Sequence, residues 1–390
     1  MLRVPTWAAR LLATAPFQRI AGVSLSDVPG DLLFGHPFPS RLDHSLGVLH
    51  LARISRPDDR ELQVAALAHD LGHGPFSHLT EPLMIETLGL DHEMRSVRLL
   101  EDVRAALSPA ETRDLGPVDW DAVAGLMLGE SGDGRGALLN GRLDFDNLDN
   151  IARFLVASGL GAPSYDPETL AGALRLASTG ANGEPVAIAA SARHDALAWR
   201  MDRARLYAFL HEGHHNLAAH AMLRKAVDLA AASGALPATF FDETDTGALI
   251  ILHHALRREQ RGLLLDAASG ASAVYRCVWE GVVPDSAYEL LRAFPRRDER
   301  LALESRLADC AGLPAHAVVV DMLVSAAQRE LPPFLSATSE TEVEPFGPDM
   351  PPPAPRMLHL FASRHAPPAA IQRLRRAAAR DFGPLGVSQR

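Results

Sequence analysis

Apolar residues along this chain recur at i, i+3 and i+4 spacing far more often than they alternate, the mark of amphipathic helices. SLGVLHLARI (45–54), ELQVAALAHDL (61–71), RSVRLLEDVRAAL (95–107), LDNIARFLVASGL (148–160) and AHAMLRKAVDLAAA (219–232) all read as helices. Glycine, proline and Asp/Ser clusters separate them, and no repeat of solenoid period is present. One composition shift interrupts the pattern. LPPFLSATSETEVEPFGPDMPPPAPR, Leu331 to Arg356, is rich in Pro, Ser, Thr and Glu and reads as a loop or linker. Beyond it, MLHLFASR (357–364) suggests a short strand, and PPAAIQRLRRAAARDFG (367–383) a helix that starts after two prolines. AVVVDML (317–323) is a second candidate strand. The expected fold class is mainly α: a helical domain over residues 1–330, a Pro-rich loop or linker over 331–356, and a small mixed α/β C-terminal lobe over 357–390.

Composition narrows the partners. A hydrophobic content of 47% is that of a globular chain with a real core. A formal net charge of −10 speaks against general nucleic-acid binding, which needs a basic surface, yet local basic groups could still hold one anionic small molecule. Only Cys277 and Cys310 are present, so neither a disulfide framework nor a thiolate metal site is expected. The opening MLRVPTWAARLLATAPFQRI is broken by Arg10 and reads as an amphipathic helix rather than a signal peptide. No uncharged run approaches the roughly 18 residues of a membrane span. The expected location is cytoplasmic, with no membrane partner.

Against this background AHDLGHGPFSH (68–78) stands apart, with three histidines and an aspartate among Gly72, Gly74 and Pro75. Neighbouring helical positions diverge by about 100°, but His69 and Asp70 can both lean into a crevice between helices. His73 follows one turn later, and the glycines and proline should turn the chain so that His78 returns beside it. Upstream, RLDHSLG offers Arg41 and His44. Downstream, LDHEMRSV places His92 in a helix's first turn after a candidate N-cap, Asp91, where free N–H groups would suit a phosphate. RLDFDNLDNIARFL adds Asp144, Asp146 and Asp149 at another helix start, and spacing alone does not choose among them. Such a cysteine-free His/Asp cluster suits a divalent Mn, Fe, Mg, Ni, Co or Zn ion. An ion of this kind acidifies water and polarises a phosphoryl oxygen, while neighbouring histidines move protons. Lone histidines are ordinarily core or surface residues. By that standard HEGHHNLAAH and LHHALRREQ, with His211, His214, His215, His220, His253 and His254, are expected to decorate solvated helix faces.

These motifs resemble the HD-domain phosphohydrolases, and within them the deoxynucleoside triphosphate triphosphohydrolases, the branch that includes the SAM-and-HD-domain enzyme of vertebrates. RLDHSLGV and AHDLGHGPFSH carry the likeness, with weaker similarity in ATAPFQRI, LDFDNLDNIAR, RARLYAFLHE and the closing strand and helix. The resemblance implies an HD-type helical fold and metal ligands His44, His69, Asp70 and Asp146. It implies proton-transfer histidines His73 and His92, oriented by Glu81 where the family has aspartate, and Arg41 and His78 on substrate phosphates. The partner it implies is a phosphorylated small molecule of nucleotide type, and it leaves open a homo-oligomer. The substrate-reading positions depart from the pattern. Leu25 stands for a glutamine near the sugar; Asn147, Asn150 and Phe154 stand for a lysine, a tyrosine and an aspartate; Glu212 stands for a later lysine. Leaving a sugar hydroxyl without a polar partner costs on the order of 1–3 kcal/mol. The expectation is therefore a metal-dependent phosphohydrolase with an altered substrate. The alternatives are an unchanged deoxynucleoside triphosphate triphosphohydrolase, an HD-fold di-iron oxygenase in which His73 and His92 bind a second metal, and a non-enzymatic regulator.

Overall fold

A computed structural model of the chain describes residues 4–33, 35–176, 186–264, 275–284, 286–287, 296–323, 334–337, 343–346 and 356–389, the side chains of His211, Glu212, Met322 and Leu323 and of residues 334–337 and 343–346 lying outside the described set. Four of the described helices that build the site start on side-chain caps. Helix α1 (Arg41–Ser55) opens with a capping box: the Ser40 hydroxyl accepts the Asp43 N–H at 3.1 Å, and the Asp43 carboxylate accepts the Ser40 N–H at 2.9 Å. Helix α2 (Arg60–Ala68) starts on Asp59, which accepts the Leu62 N–H at 3.0 Å. Helix α3 (Glu81–Leu88) ends at Gly89, whose φ of 70° is the left-handed conformation that suits glycine. Helix α4 (His92–Ala106) is capped by Asp91 at 2.8 Å from the Met94 N–H, as its sequence suggested. Helix α5 (Phe145–Ala157) is capped by Asp144, 2.7 Å from the Asn147 N–H. Each such cap contributes about 1 kcal/mol.

The apolar stripes of α1, α2 and α5 meet in one core through Val48, Leu49, Leu62, Leu67, Phe145, Ile151 and Leu155, closed by Trp199 of helix α6 (Arg193–Glu212). The opening segment forms two short helices, Thr6–Leu12 and Ala15–Ile20, whose Trp7, Leu11, Phe17 and Ile20 join this core. A second core gathers Phe76, Phe240 and Phe241 against helix α7 (His214–Ala232). Among the described residues, no helix is long and apolar enough to cross a membrane.

Two small sheets accompany this mainly α body. Strands β1 (Leu174–Leu176), β2 (Val186–Ala189), β5 (Phe334–Ala337) and β6 (Val343–Phe346) lie in the order β1-β2-β5-β6, with β2 and β5 parallel. Two strands thus fall in the 331–356 segment whose composition suggested a loop or linker. Pro345 is tolerated because β6 is an edge strand, where a missing N–H need not meet a neighbour. Residues 331–333, 338–342 and 347–355 of that segment lie outside the described residues.

The C-terminal lobe is the other sheet, in the order β4-β7-β3-β8, from β3 (Tyr275–Val283), β4 (Val318–Leu323), β7 (Arg356–Ser363) and β8 (Ser388–Gln389). Val318, Val320, Leu358 and Leu360 pack with helices α8 (Arg297–Ala311) and α9 (Pro368–Phe382), while the alternate residues Val319 and Phe361 face α7. The lobe expected over 357–390 therefore shares its sheet with strands from before residue 330. Strand β3 escapes the pattern because its register shifts between Cys277 and Trp279, which breaks the alternation.

Candidate active site

Helix α2 ends at Ala68, so the turn expected to carry His69 and His73 on one helix face is a series of tight turns instead. Gly72 permits it. A Cβ there would lie 1.9 Å from the His92 carbonyl oxygen, and the Gly72 N–H donates to Ser96 Oγ at 2.7 Å. The Arg19 and Arg95 guanidiniums clamp the loop, donating to the carbonyls of His73 at 2.7 Å and Gly72 at 2.8 Å. Phe76 and Ser77 then adopt φ of 63° and 51°, a conformation non-glycine residues adopt at a cost. Asp245 holds the first by accepting its N–H at 2.7 Å, and Ser77 Oγ donates to the Ser24 carbonyl at 2.7 Å. Asp245, Ser77 and Ser24 were not legible as site residues, because their partners are remote in sequence.

The turns bring His44, His69 and Asp70 together, with one potential ligand atom of each within 4.8 Å of the others. Asp70 is buried; its Oδ1 lies 3.4 Å from His69 Nε2 and its Oδ2 3.8 Å from His44 Nε2. His69 Nδ1 donates to the Ala66 carbonyl at 3.0 Å, and since a carbonyl only accepts, the proton sits on Nδ1. Its Nε2 is buried with no hydrogen-bond partner. Of the three aspartates on α5, Asp144 caps the helix, Asp146 Oδ1 lies 2.9 Å from His44 Nε2, and Asp149 Oδ2 lies 2.8 Å from His44 Nδ1. Asp149 also accepts from Arg153. A carboxylate behind a ligating imidazole fixes its tautomer and raises its basicity, a role the sequence reading did not assign. Burial works against charge on His44, but Asp146 and Asp149 outweigh it and lift its pKa to about 10. The field that favours a proton at His44 Nε2 equally favours a cation there. The orphaned His69 Nε2 and the nitrogen-and-carboxylate donor set fit a divalent ion.

Beside this cluster stand three more histidines. His73 stacks on His92 with ring centroids 4.0 Å apart, and His78 lies edge-on to both at 4.7 and 5.1 Å. His73 Nε2 is 3.3 Å from Asp70 Oδ1. Burial, then Arg41 and His92, push its pKa well below the ordinary value, so it is neutral. Glu81 binds the Nδ1 atoms of both His92 and His78, the latter at 3.0 Å, and makes no hydrogen bond to the His73 nitrogens. Burial opposes charge on His92 and on Glu81. Their mutual hydrogen bond outweighs it, raising the His92 pKa and, with help from His78, depressing that of Glu81. The His92 N–H, expected as an anion donor, is given to Glu81 at 3.2 Å.

Residues 41–163, which span His44, His69, Asp70, His73, His78, Glu81, His92 and Asp146, match the family model described as HD domain. That stretch is similar to the HD domain over about a third of the chain. It is 32% identical over 117 residues to the deoxynucleoside triphosphate triphosphohydrolase SAMHD1 homolog of Dictyostelium discoideum, 25% of this chain and 22% of that protein. It is 30% identical over 183 residues to uncharacterized protein YwfO of Bacillus subtilis, 42% of this chain and 40% of that one. The aligned regions thus span less than half the length of either relative. A hypothetical protein from Aquifex aeolicus has the same fold over 96% of both chains, with a TM-score of 0.68 at 19% identity.

A cavity of about 220 Å³ is lined by Arg41, His78, Leu25, Asn150, Phe154 and Tyr207, with Asp27, Asn216 and His220 also on its wall. Three of the positions that depart from the resemblance, Leu25, Asn150 and Phe154, line it. Another, Asn147, turns its amide to Asp144 at 3.0 Å. Arg41 is buried, donating from Nη1 to Asp70 and from Nε to Ser77 Oγ, both at 2.9 Å. Among the other histidines, His254 is exposed and His253 half-buried, as expected of a helix face. His220 instead faces the cavity, and His214 pairs with Glu280 at 3.0 Å.

Proposed function

We propose that the protein is a metal-dependent phosphohydrolase acting on a nucleotide or related phosphorylated metabolite. The observation that carries this reading is the convergence of His44, His69 and Asp70, with Asp146 against His44, beside a cavity lined by Arg41 and His78. His44, His69, Asp70 and Asp146 would hold the divalent ion. When bound, it supplies Lewis-acid polarisation of a phosphoryl oxygen and acidification of water. Asp149 keeps His44 Nε2 pointed at the site by holding Nδ1. Arg41, fixed by Asp70 and Ser77, offsets negative charge developing on the phosphoryl oxygens, and His78 faces the same cavity. Glu81 occupies His92 Nδ1, which leaves Nε2 to give a proton to the leaving oxygen. His73, neutral and stacked on His92, would assist His92 in supplying that proton. The names of relatives that include deoxynucleoside triphosphate triphosphohydrolases support a nucleotide. Leu25, Asn150 and Phe154 in the cavity support a sugar pocket that differs from that branch.

The test is phosphate and triphosphate release from nucleoside mono-, di- and triphosphates and sugar phosphates, with Mn²⁺, Mg²⁺ or Co²⁺. Metal-dependent release that Asp70→Ala abolishes is the expected result. No release across the panel from protein shown to bind metal would overturn it and favour a regulator. A second reading, a two-metal oxygenase site, has one observation in its favour: ligand atoms of His73, His78 and His92 also lie within 4.8 Å of one another. Loss of one iron equivalent in His92→Ala would support that reading instead.

A further inference from the structure

Strand pairing sets three titratable side chains in a row across the C-terminal sheet. His359 on β7 is the direct partner of Glu280 on β3 and of Asp321 on β4, so all three share a face. That face is the one under α7, as Phe361 two residues on shows by packing into the α7 core. From the first turn of α7, His214 reaches down to the same place: its Nε2 is 3.0 Å from Glu280 Oε2, and its ring centroid is 6.0 Å from that of His359. One ligand atom each from His214, Glu280 and His359 lie within 4.8 Å of one another. Asp321 Oδ1 is bound by Arg224, while its Oδ2 is buried with no hydrogen-bond partner.

The three could simply be a surface ion pair next to a core histidine, but His359 does not fit that account. It is only 4% exposed, and its Nδ1 is buried with no hydrogen-bond partner. A buried imidazole nitrogen left unpaired costs about 1–3 kcal/mol unless something else satisfies it.

We infer that His214, Glu280 and His359 form a second metal site, distinct from the HD-domain cluster, for a borderline divalent transition ion such as zinc. Two imidazoles and one carboxylate are a donor set zinc takes readily, with the remaining position open to water on the exposed side of His214. The ligands come from α7 and from two strands of the C-terminal sheet, so the ion would tie the lobe to the helical body. Helix α7 also contributes Asn216, Leu217 and His220 to the cavity wall. Occupancy would therefore hold that wall in place.

This second site does not depend on the proposed function, and its test disables the HD cluster first. Zinc binding to the full-length Asp70→Ala chain is measured by equilibrium dialysis with metal quantification, alone and combined with His214→Ala, Glu280→Gln or His359→Asn. His214 is exposed, so its replacement leaves the fold intact, as circular dichroism would verify. Expected is the loss of one zinc equivalent per chain, or at least a ~10-fold weaker affinity, in the His214→Ala and Glu280→Gln derivatives. Unchanged stoichiometry and affinity in both would overturn the site, whatever the outcome for phosphate release.

Discussion

Gly47 lies in the middle of α1, where alanine would ordinarily stabilise a helix by about 1 kcal/mol. The structure reverses that expectation. A Cβ at residue 47 would lie 1.8 Å from Asp149 Oδ1, 2.4 Å from its Cγ and 2.5 Å from Arg153 Nη2. These atoms cannot yield cheaply, because the Asp149 carboxylate is held between His44 Nδ1 and Arg153 Nε. Gly47→Ala should therefore push Asp149 off His44. His44 is fully buried, so its Nδ1–H loses its acceptor with no water to replace it. A hydrogen bond to a charged group contributes roughly 1.5–3 kcal/mol, which corresponds to about 10- to 150-fold in an equilibrium constant. Loss of a carboxylate behind a metal-ligating histidine costs roughly 10- to 100-fold in metal affinity, a range that overlaps. Gly47→Ala and Asp149→Ala should each weaken Mn²⁺ binding by such a factor, measured by competition with a chromophoric chelator, and the double variant should lose little more than either alone. Metal affinity in Gly47→Ala equal to that of the parent would refute the chain of contacts from Gly47 through Asp149 to His44.

Other outcomes follow from the same geometry. His92→Ala should retain metal and slow turnover by roughly 10²–10⁴-fold, the usual worth of a general acid, as single-turnover phosphate release would show. The acid form of His92 exists below its raised pKa, so activity should fall as pH rises through that value. Glu81→Gln removes the hydrogen bond that raises it and should move this alkaline limb of the kcat profile to lower pH, whereas an unmoved limb would assign the acid elsewhere. Lys225 and Glu304 are both buried and paired to each other, tying α7 to α8. Lys225→Met leaves the carboxylate without its partner and should destabilise by roughly 3–5 kcal/mol, read as a fall in the urea midpoint. With Leu25 and Phe154 lining the cavity, removal of a 3′-hydroxyl from a deoxynucleotide substrate should cost roughly tenfold or less in kcat/KM. A penalty near 10⁴ would show that Asp27, Asn216 or another polar lining residue rebuilds the sugar contact.

By itself the sequence determined the local structure that depends on neighbours a few residues away. Helical spacing marked α1, α2, α4, α5 and α7, and Asp91 was legible as a cap because capping is a contact over three residues. The dense His/Asp stretch at 68–78 was legible as chemistry, because so many titratable groups among glycines make poor core. What the tertiary structure decided depends on contacts across long separations, which a periodic pattern cannot carry. Asp144, Asp146 and Asp149 are equivalent candidates until α1 packs on α5 and sets His44 between two of them. Asp245 supports the strained Phe76 from 169 residues away. Strand β3 hides behind its own register shift, and only its pairing with β7 sets Glu280 beside His359. Those alignments rest on how helices and strands of ordinary sequence happen to pack, and that is settled by burial of the whole chain rather than by any one stretch of it.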